Sequence, residues 1–388
     1  MSLPNPYTPG AGFMPTYLAG RDELLQEANQ SLQNLANNYP QRSIIYYGLR
    51  GVGKTVLLNA IEENSESYGI NFMHIEVMEK SNFLSTLFSS TKRFIAEITP
   101  KSKKQTFIDS VKALLSSLTV TYELGDQKIK LDIDSNTTNL ATGLLADDLT
   151  QLFVVLGKLL KNSNLSLCIF IDEIQYMRDE EIESLVNALH RCNQLRLPIM
   201  IFGAGLPKIL KTVGEAKSYS ERLFEFKKVD KLQNEDAKKA IVAPANNFSI
   251  SYTDEAIEKI INITSGYPYF IQEFCNIVWD SNNKYTIDIE IVKKCVCKFT
   301  EKLDDGFFRI RYERCSNKEK EFMFAMIKCE GLPCTVSNVA TIMKSSVKTI
   351  SVHRAQLIHK GMIYATGYGE IDFTVPQFDK FLCRVLNK

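Results

Sequence analysis

Apolar positions along the chain fall into short continuous runs and longer stretches with helical spacing. The runs at 43–47, 70–77, 165–171 and 197–202 are rich in β-branched and aromatic residues, which predicts strands. Between these runs, apolar residues recur three and four positions apart, which predicts helices. Strands that alternate with helices predict an α/β core built on a parallel sheet, and we place this core at residues 18–230. Residues 1–17 before it are rich in proline, which predicts an extended N-terminal arm without helix.

One part of the core departs from this alternation. Residues 81–118 have helical spacing, with an apolar stripe formed by Phe83, Leu84, Leu87, Phe94 and Ile95. Residues 119–133 alternate on either side of Gly125-Asp126, which predicts a hairpin. This hairpin lies in an insertion that we place at residues 105–145.

Beyond residue 230 the predicted strands give way to helices. Four stretches predict a helical lid domain at residues 231–300, namely 234–242, 254–264, 267–280 and 287–300. Pro244, the turn Gly266-Tyr267-Pro268 and the pair Asn282-Asn283 are expected to separate these helices.

A last domain is predicted at residues 315–388, after a linker at residues 301–314. Its pattern gives helices at Lys318–Cys329 and Ser337–Met343, a third helix capped by Ser345 or Ser346, and a ribbon from Met362 to Val375 that turns at Gly367–Gly369. Helices followed by such a ribbon predict a winged helix. One face of the third helix is expected to be buried through Ile350, Leu357 and Ile358. The opposite face then points outward and contains Lys348, Thr349, Val352 and Gln356.

The stretch from Gly48 to Thr55 has the pattern G-x-x-x-x-G-K-[ST] of a phosphate-binding loop and lies between a predicted strand and a predicted helix. Its glycines let backbone N–H groups point at phosphate oxygens, and the helix N-terminus adds partial positive charge. Lys54 is expected to reach the β- and γ-phosphates of ATP, and the Thr55 hydroxyl to ligate Mg²⁺. The candidate phosphate-binding residues are Gly48, Arg50, Gly51, Val52, Gly53, Lys54, Thr55 and Val56.

An apolar run that ends in Asp172-Glu173 is the expected acidic partner of this loop. We expect its strand to lie beside the first strand, so that both carboxylates arrive near the γ-phosphate. Asp172 is then the candidate Mg²⁺ ligand, and Glu173 the candidate general base that polarises the attacking water. The alternative is that the two carboxylates cap the next turn.

These motifs together resemble the AAA+ ATPases. Within them, the chain is similar to an archaeal-type branch close to origin-recognition and initiator proteins and to the signal-transducing ATPases called STAND. The resemblance covers nearly the whole chain and rests on residues 8–12, 18–21, 48–55, 171–175, 203–207, 221–224, 266–270, 354–364 and 373–376. It implies a sheet order of 5-1-4-3-2, a helical lid over the nucleotide and a C-terminal winged helix.

The resemblance also assigns roles to four residues outside the loop. Gly20 and Arg21 match an element that packs against the adenine, and Pro268 matches a Gly-x-Pro whose proline lies near it. Arg222 matches the position of an arginine finger that acts on a neighbouring subunit. The alternatives are an entry helix at residues 20 and 21, a turn before a helix at Pro268, and a solvated or ion-paired Arg222.

Two departures from the family pattern bear on activity. The strand that carries a polar γ-phosphate sensor in AAA+ proteins ends here in Gly203-Ala204-Gly205, and the Gly266-Tyr267-Pro268 turn replaces the lid arginine of the initiators. Both departures argue for slow hydrolysis and tight nucleotide retention. A switch therefore fits better than a processive motor.

Composition narrows the remaining choices. The 46 Lys and Arg against 45 Asp and Glu give a net charge of +1, so attraction to nucleic acid or membrane has to be local. Residues 311–388 are locally basic at +5, with twelve Lys and Arg against seven Asp and Glu. The nine cysteines show no CxxC spacing, which predicts reduced thiols in a cytoplasmic protein. The sequence contains no apolar run of about 18 residues, so no membrane span is predicted.

Three functions follow for comparison. The first is an ATP-dependent switch, with Mg²⁺, that couples nucleotide state to double-stranded DNA, a protein partner or self-assembly through the winged helix. The second is a signalling scaffold in which bound ADP is structural and the winged helix contacts protein. The third is a P-loop kinase, which the tandem Asp172-Glu173 and the appended winged helix disfavour.

Overall fold

The structure is a computed structural model that describes residues 3–79, 82–98, 109, 112, 113, 115, 116, 144–216 and 220–386. The chain divides into two compact units. We call residues 21–47 and 54–228 the sheet unit, and residues 1–20, 48–53 and 229–388 the helical unit. Among the described residues, no helix combines the length and apolar character needed to cross a bilayer.

The sheet unit is built on five parallel strands, β1 (Ser43–Tyr47), β2 (Asn71–Glu76), β3 (Leu167–Asp172), β4 (Ile199–Gly205) and β5 (Phe224–Lys228). Their order is β5-β1-β4-β3-β2, which confirms the predicted 5-1-4-3-2 sheet. Strands β3 and β4 are buried along their whole length, as expected where helices cover both faces of a parallel sheet.

One expectation about this sheet is wrong. Strand β3, which carries Asp172, does not lie beside β1, because β4 separates them: Phe170 of β3 pairs with Phe202 of β4, which pairs with Ile44 of β1. Buried apolar strands have no local pattern that distinguishes their neighbours, and it was the family resemblance that implied the observed order.

The helices of the sheet unit are α1 (Asp22–Ala36), α2 (Lys54–Ser67), α3 (Phe83–Ile98), α4 (Leu145–Asn162), α5 (Asp179–Gln194), α6 (Lys208–Ala216) and α7 (Ser220–Leu223), with a 3₁₀ turn at Ile174–Tyr176. The predicted apolar stripe of α3 is buried. The hairpin predicted at 119–133 lies outside the described residues, as does most of the insertion at 105–145.

The helical unit begins with α8 (Asn234–Asn246), β6 (Ser251–Tyr252), α9 (Asp254–Thr264), α10 (Pro268–Asp280), β7 (Thr286–Ile287) and α11 (Ile289–Leu303). A π-helical turn (Asp304–Phe308) and α12 (Arg309–Glu313) follow, then α13 (Asn317–Ile327), β8 (Cys334–Thr335), α14 (Val336–Ile342), α15 (Val347–His359), β9 (Ile363–Gly367), β10 (Glu370–Phe373) and α16 (Phe378–Leu386). Strands β8, β10 and β9 form an antiparallel sheet in that order, and β6 pairs with β7 in parallel.

Two predictions about the helical unit need correction. Helix α8 continues through Pro244 to Asn246, because Pro244 lies on the buried face of the helix with Ile241 and Ala245, and this burial offsets the lost backbone hydrogen bond. Residues 301–314, predicted as a linker, form helical turns in which Phe308 is buried and Asp304 accepts two hydrogen bonds from Arg384.

Candidate functional site

The carboxylates predicted for the site lie at the carboxyl end of β3. The Thr55 hydroxyl, in the first turn of α2, donates a hydrogen bond of 2.6 Å to Asp172 Oδ2. The backbone N–H of Glu173 donates to Asp172 Oδ1 at 2.8 Å. Within the sheet unit, the structure therefore brings Thr55, Asp172 and Glu173 together, and the adjacent Lys54 is buried.

The surroundings of Asp172 push its ionisation in opposite directions. Burial raises the pKa of this carboxyl, whereas the bonds from Thr55 and from the Glu173 N–H, and the charge of Lys54, lower it. Burial prevails, so the pKa of Asp172 lies above its ordinary value, and a cation beside it would favour the ionised form. The two oxygen donors, a carboxylate and a neighbouring hydroxyl, are the ligand type that Mg²⁺ prefers.

Glu173 has an unusual backbone and a defined side-chain partner. Its φ of 52° and ψ of 36° place it in the left-handed region, which few residues other than glycine adopt. Gln175 Nε2 donates to Glu173 Oε2, and Gln175 Oε1 accepts the backbone N–H of Leu206 at 2.9 Å. Gln175 is not among the site residues predicted from the sequence. The signal for it was a polar residue two positions after the acidic pair, in an otherwise apolar stretch.

Residues Gly48–Gly53 of the phosphate-binding loop belong to the helical unit. A Cβ at Gly48 would lie 2.0 Å from the Val229 carbonyl oxygen, so the close backbone approach requires glycine there. The Gly51 carbonyl accepts the N–H of Tyr269 at 3.2 Å, and the Arg50 N–H donates to the Thr374 carbonyl at 3.2 Å. The loop thus contacts the start of α10 and the end of the C-terminal hairpin, which is formed by β9 and β10.

The remaining predicted site residues take separate positions. Gly20 has a φ of +62° and faces Asp236, with no room for a Cβ, while Arg21 is buried just before α1. Pro268 is the first residue of α10. Arg222 is exposed in the four-residue helix α7, and the structure does not bring it together with Thr55, Asp172 and Glu173.

Comparisons with known proteins bear on the fold. Residues 37–210 match the family described as AAA domain. The solved Walker-type ATPase PABY2304 of Pyrococcus abyssi is 15% identical, with a TM-score of 0.56 over 94% of this chain and 96% of that one. The chain contains a P-loop NTPase core. The AAA match covers β1 to β4 of this P-loop NTPase core, with the loop and the acidic strand.

Other comparisons are more distant. The Aeropyrum pernix Orc1 protein in complex with DNA is 13% identical, with a TM-score of 0.46 over 95% of this chain and 94% of that one. The Thermotoga maritima RuvB Holliday junction branch migration motor is 16% identical, with a TM-score of 0.44 over 94% and 95%. Residues 305–382, beyond the P-loop NTPase core, match the family described as Domain of unknown function (DUF8462). No curated protein matches the chain in sequence.

Proposed function

We propose that this protein is a slow, Mg²⁺-dependent ATPase that acts as a switch. The observation that carries the proposal is the Thr55–Asp172 hydrogen bond next to Glu173, directly after a glycine loop with the phosphate-binding pattern. A loop, a hydroxyl and two carboxylates in this arrangement are the parts that phosphoryl transfer to water requires.

Each part has a defined task in hydrolysis. The N–H groups of the loop and Lys54 hold the phosphates of ATP, and Thr55 and Asp172 are the residues that hold Mg²⁺. When bound, the ion neutralises charge on the phosphoryl oxygens. Glu173 accepts the proton of the attacking water, and the Gly20-Arg21 segment and Pro268 are the proposed adenine contacts.

Two features support slow turnover. The carboxyl end of β4 is Gly203-Ala204-Gly205, which offers no polar side chain to the γ-phosphate. Helix α10, whose first residue is Pro268, contains no arginine. Fewer preorganised charges toward the transition state mean a smaller rate enhancement. Long retention of one nucleotide is the property that a switch needs.

The loop contacts support coupling between nucleotide state and the C-terminal domain. The Arg50 N–H donates to the Thr374 carbonyl, and the Gly51 carbonyl accepts the N–H of Tyr269. All four residues belong to the helical unit. A loop that rearranges around phosphates changes these bonds. Nucleotide binding at the loop would therefore alter its contacts with the C-terminal hairpin and with α10.

We propose that the C-terminal domain is a winged helix that contacts double-stranded DNA. The exposed face of α15 presents Lys348, Thr349, Val352 and Gln356, opposite the buried Ile350 and Leu357. Several of the basic residues that produce the +5 balance are ion-paired within the unit, including Lys318, Lys320, Lys360 and Arg384. Affinity for DNA is therefore expected to be low without a partner or self-assembly.

Two substitutions test the ATPase proposal. Lys54→Ala removes the mobile cation of the loop and should abolish ATP binding in isothermal titration. Glu173→Gln retains the shape of the side chain but not the base, so it should bind Mg·ATP normally while kcat falls by about 10²- to 10⁴-fold. Exposed Lys208, at the start of α6, gives the control Lys208→Ala, which should match the parent in both assays.

Two results would contradict the proposal. Unchanged ATP affinity in Lys54→Ala would remove the loop assignment. Parental hydrolysis in Glu173→Gln would place the general base elsewhere. Tight ADP retention without any turnover in the parent would favour the signalling scaffold.

A further inference from the structure

The amide of Gln175 links two groups of the sheet unit that are far apart in sequence. Its Nε2 donates to the Glu173 carboxylate, and its Oε1 accepts the Leu206 N–H at 2.9 Å. The Gln175 side chain and its bond to Leu206 are buried, and its bond to the half-buried Glu173 is partly buried. A buried amide with both ends satisfied has one orientation, because rotating it would leave a donor and an acceptor unpaired.

The space that Gln175 occupies lies over the carboxyl end of β4. A Cβ added at Gly205 would lie 2.7 Å from Gln175 Oε1 and 2.8 Å from Ile174 Cγ2. No side chain fits at Gly205 while Gln175 stays in place. Gly205 and Gln175 are therefore a matched pair, in which the missing side chain on β4 makes room for an amide from the turn after β3.

We propose that Gln175 is the positioning residue for the general base, fixing the Glu173 carboxylate against the backbone of β4. The proposal rests on the ATPase function proposed above. Gln175 places a polar group over the end of β4, where the strand itself has no polar side chain. It acts through Glu173, without itself contacting the nucleotide.

The backbone of Glu173 explains why such a support is needed. Because Glu173 has left-handed backbone angles, its Cα–Cβ bond points in a different direction from those of the residues in the following 3₁₀ turn. A glutamate side chain has three rotatable bonds, so an unsupported carboxylate samples several orientations. One hydrogen bond from a side chain that is itself anchored to Leu206 selects among these orientations before water attacks.

The test measures turnover and binding in Gln175→Leu, which keeps the approximate size of the side chain and removes both hydrogen bonds. We expect kcat to fall by about 10- to 100-fold, as when a catalytic group is misplaced by about 1 Å, with the Kd for Mg·ATP unchanged. Combining Gln175→Leu with Glu173→Gln should give no further loss beyond Glu173→Gln alone, because both changes act on the same group.

Gly205→Ala tests the same contact without altering Gln175. The new methyl group should displace the Gln175 amide and reproduce the kcat loss at unchanged Kd. The matched control is Gly203→Ala on the same strand, because a Cβ there meets only Ile174 Cδ1 at 3.3 Å and Ile45 Cγ1 at 3.4 Å as its nearest side-chain atoms. It should leave turnover within twofold of the parent.

A readout independent of turnover is the hydrogen exchange of the Leu206 amide. It should be faster in Gln175→Leu and Gly205→Ala than in the parent, and unchanged in Glu173→Gln. Parental kcat in Gln175→Leu, or a further loss in the double variant, would overturn the positioning role. Absence of turnover in the parent overturns the proposed ATPase instead, so the two failures are distinguishable.

Discussion

At the scale of single residues, burial decides where charge can be held. Strand β3 is apolar along its length and ends in Asp172, whose carboxylate is buried yet satisfied by Thr55 and by a backbone N–H. A buried carboxylate without such partners would be strongly destabilising. In the function proposed above, this arrangement is ready for a cation and a phosphate before either binds.

His74 provides a residue-scale prediction about pH. Its Nδ1 lies 2.5 Å from Glu62 Oε2, and this hydrogen bond raises the pKa of His74, while partial burial opposes the rise. A raised pKa in the folded state means that the pair stabilises below about pH 6.5, the value for unfolded histidine, and that this stabilisation is lost as pH rises through the folded pKa. The half-exposed pair contributes up to about 1 kcal/mol.

Urea unfolding at two pH values measures this contribution. The free energy of unfolding of His74→Gln should fall below that of the parent at pH 5.5 and approach it at pH 9. Replacing half-buried His190, on α5, with Gln gives a comparison at a histidine whose Nε2 lies 3.4 Å from the Gln194 amide nitrogen. An equal difference at both pH values would show that His74 stabilises by packing and not by charge.

At the scale of elements, buried polar anchors attach segments that have no regular structure. Residues 3–20 contain neither helix nor strand, yet Tyr7 is only 2% exposed. Its hydroxyl donates to the Ile241 carbonyl and lies 3.0 Å from the Tyr252 hydroxyl, and Asn276 Nδ2 donates to its carbonyl at 3.0 Å. The extended arm is therefore fixed to α8 and α10 within the helical unit.

Tyr7→Phe tests this anchor with the loss of one oxygen. The Ile241 carbonyl and the Tyr252 hydroxyl remain buried and lose a partner, so the free energy of unfolding should fall by about 1–3 kcal/mol. Thermal unfolding, compared with Tyr17→Phe as a control, measures the loss because Tyr17 is 39% exposed. Equal melting temperatures for the parent and both variants would mean that ring packing alone holds the arm.

At the scale of the whole molecule, the predicted phosphate-binding loop lies within one unit by sequence but packs with the other. Residues 48–53 are joined in sequence to β1 and α2 of the sheet unit, but they pack with the helical unit. The binding motif therefore has one part in each unit. In the function proposed above, the C-terminal domain contacts DNA and neighbouring copies contribute an arginine, and two predictions address these contacts.

The first prediction concerns DNA. If α15 enters the major groove, Lys348→Ala in the full chain should weaken duplex binding and reduce the salt dependence of affinity by about one unit of slope. The control is Lys318→Ala, because Lys318 is exposed on α13 and pairs with Glu321. Mobility-shift titrations at two salt concentrations measure both. No binding by the parent at low salt would make this domain a protein-contact module.

The second prediction concerns self-assembly. Arg222 is exposed in α7 of the sheet unit, as an arginine that acts on a neighbouring subunit must be. ATPase activity per chain should rise with protein concentration, and Arg222→Ala should remove that rise while nucleotide affinity stays the same. Exposed Arg191, on α5, gives the control Arg191→Ala. Concentration-independent activity that survives in Arg222→Ala would identify Arg222 as a surface residue.

Elements whose pattern is local can be predicted from the amino-acid sequence alone. Four of the five strands, β1 to β4, the apolar face of α3, and the Ser346 cap of α15 follow from periodicity and capping chemistry, which depend on nearby residues only. The loop motif and the Asp172-Glu173 pair were also readable, since their spacing is fixed by the backbone.

Features that join distant residues do not follow from local pattern. The structure placed β4 between β1 and β3, as the family resemblance but not the strand pattern had implied, continued α8 through Pro244, and brought Gln175 from one turn onto the end of another strand. Apolar strands are interchangeable in pattern, a buried proline is tolerated where packing compensates, and the space above Gly205 exists only when β3 and β4 lie side by side. These outcomes depend on packing between residues far apart in the chain, which no local pattern encodes.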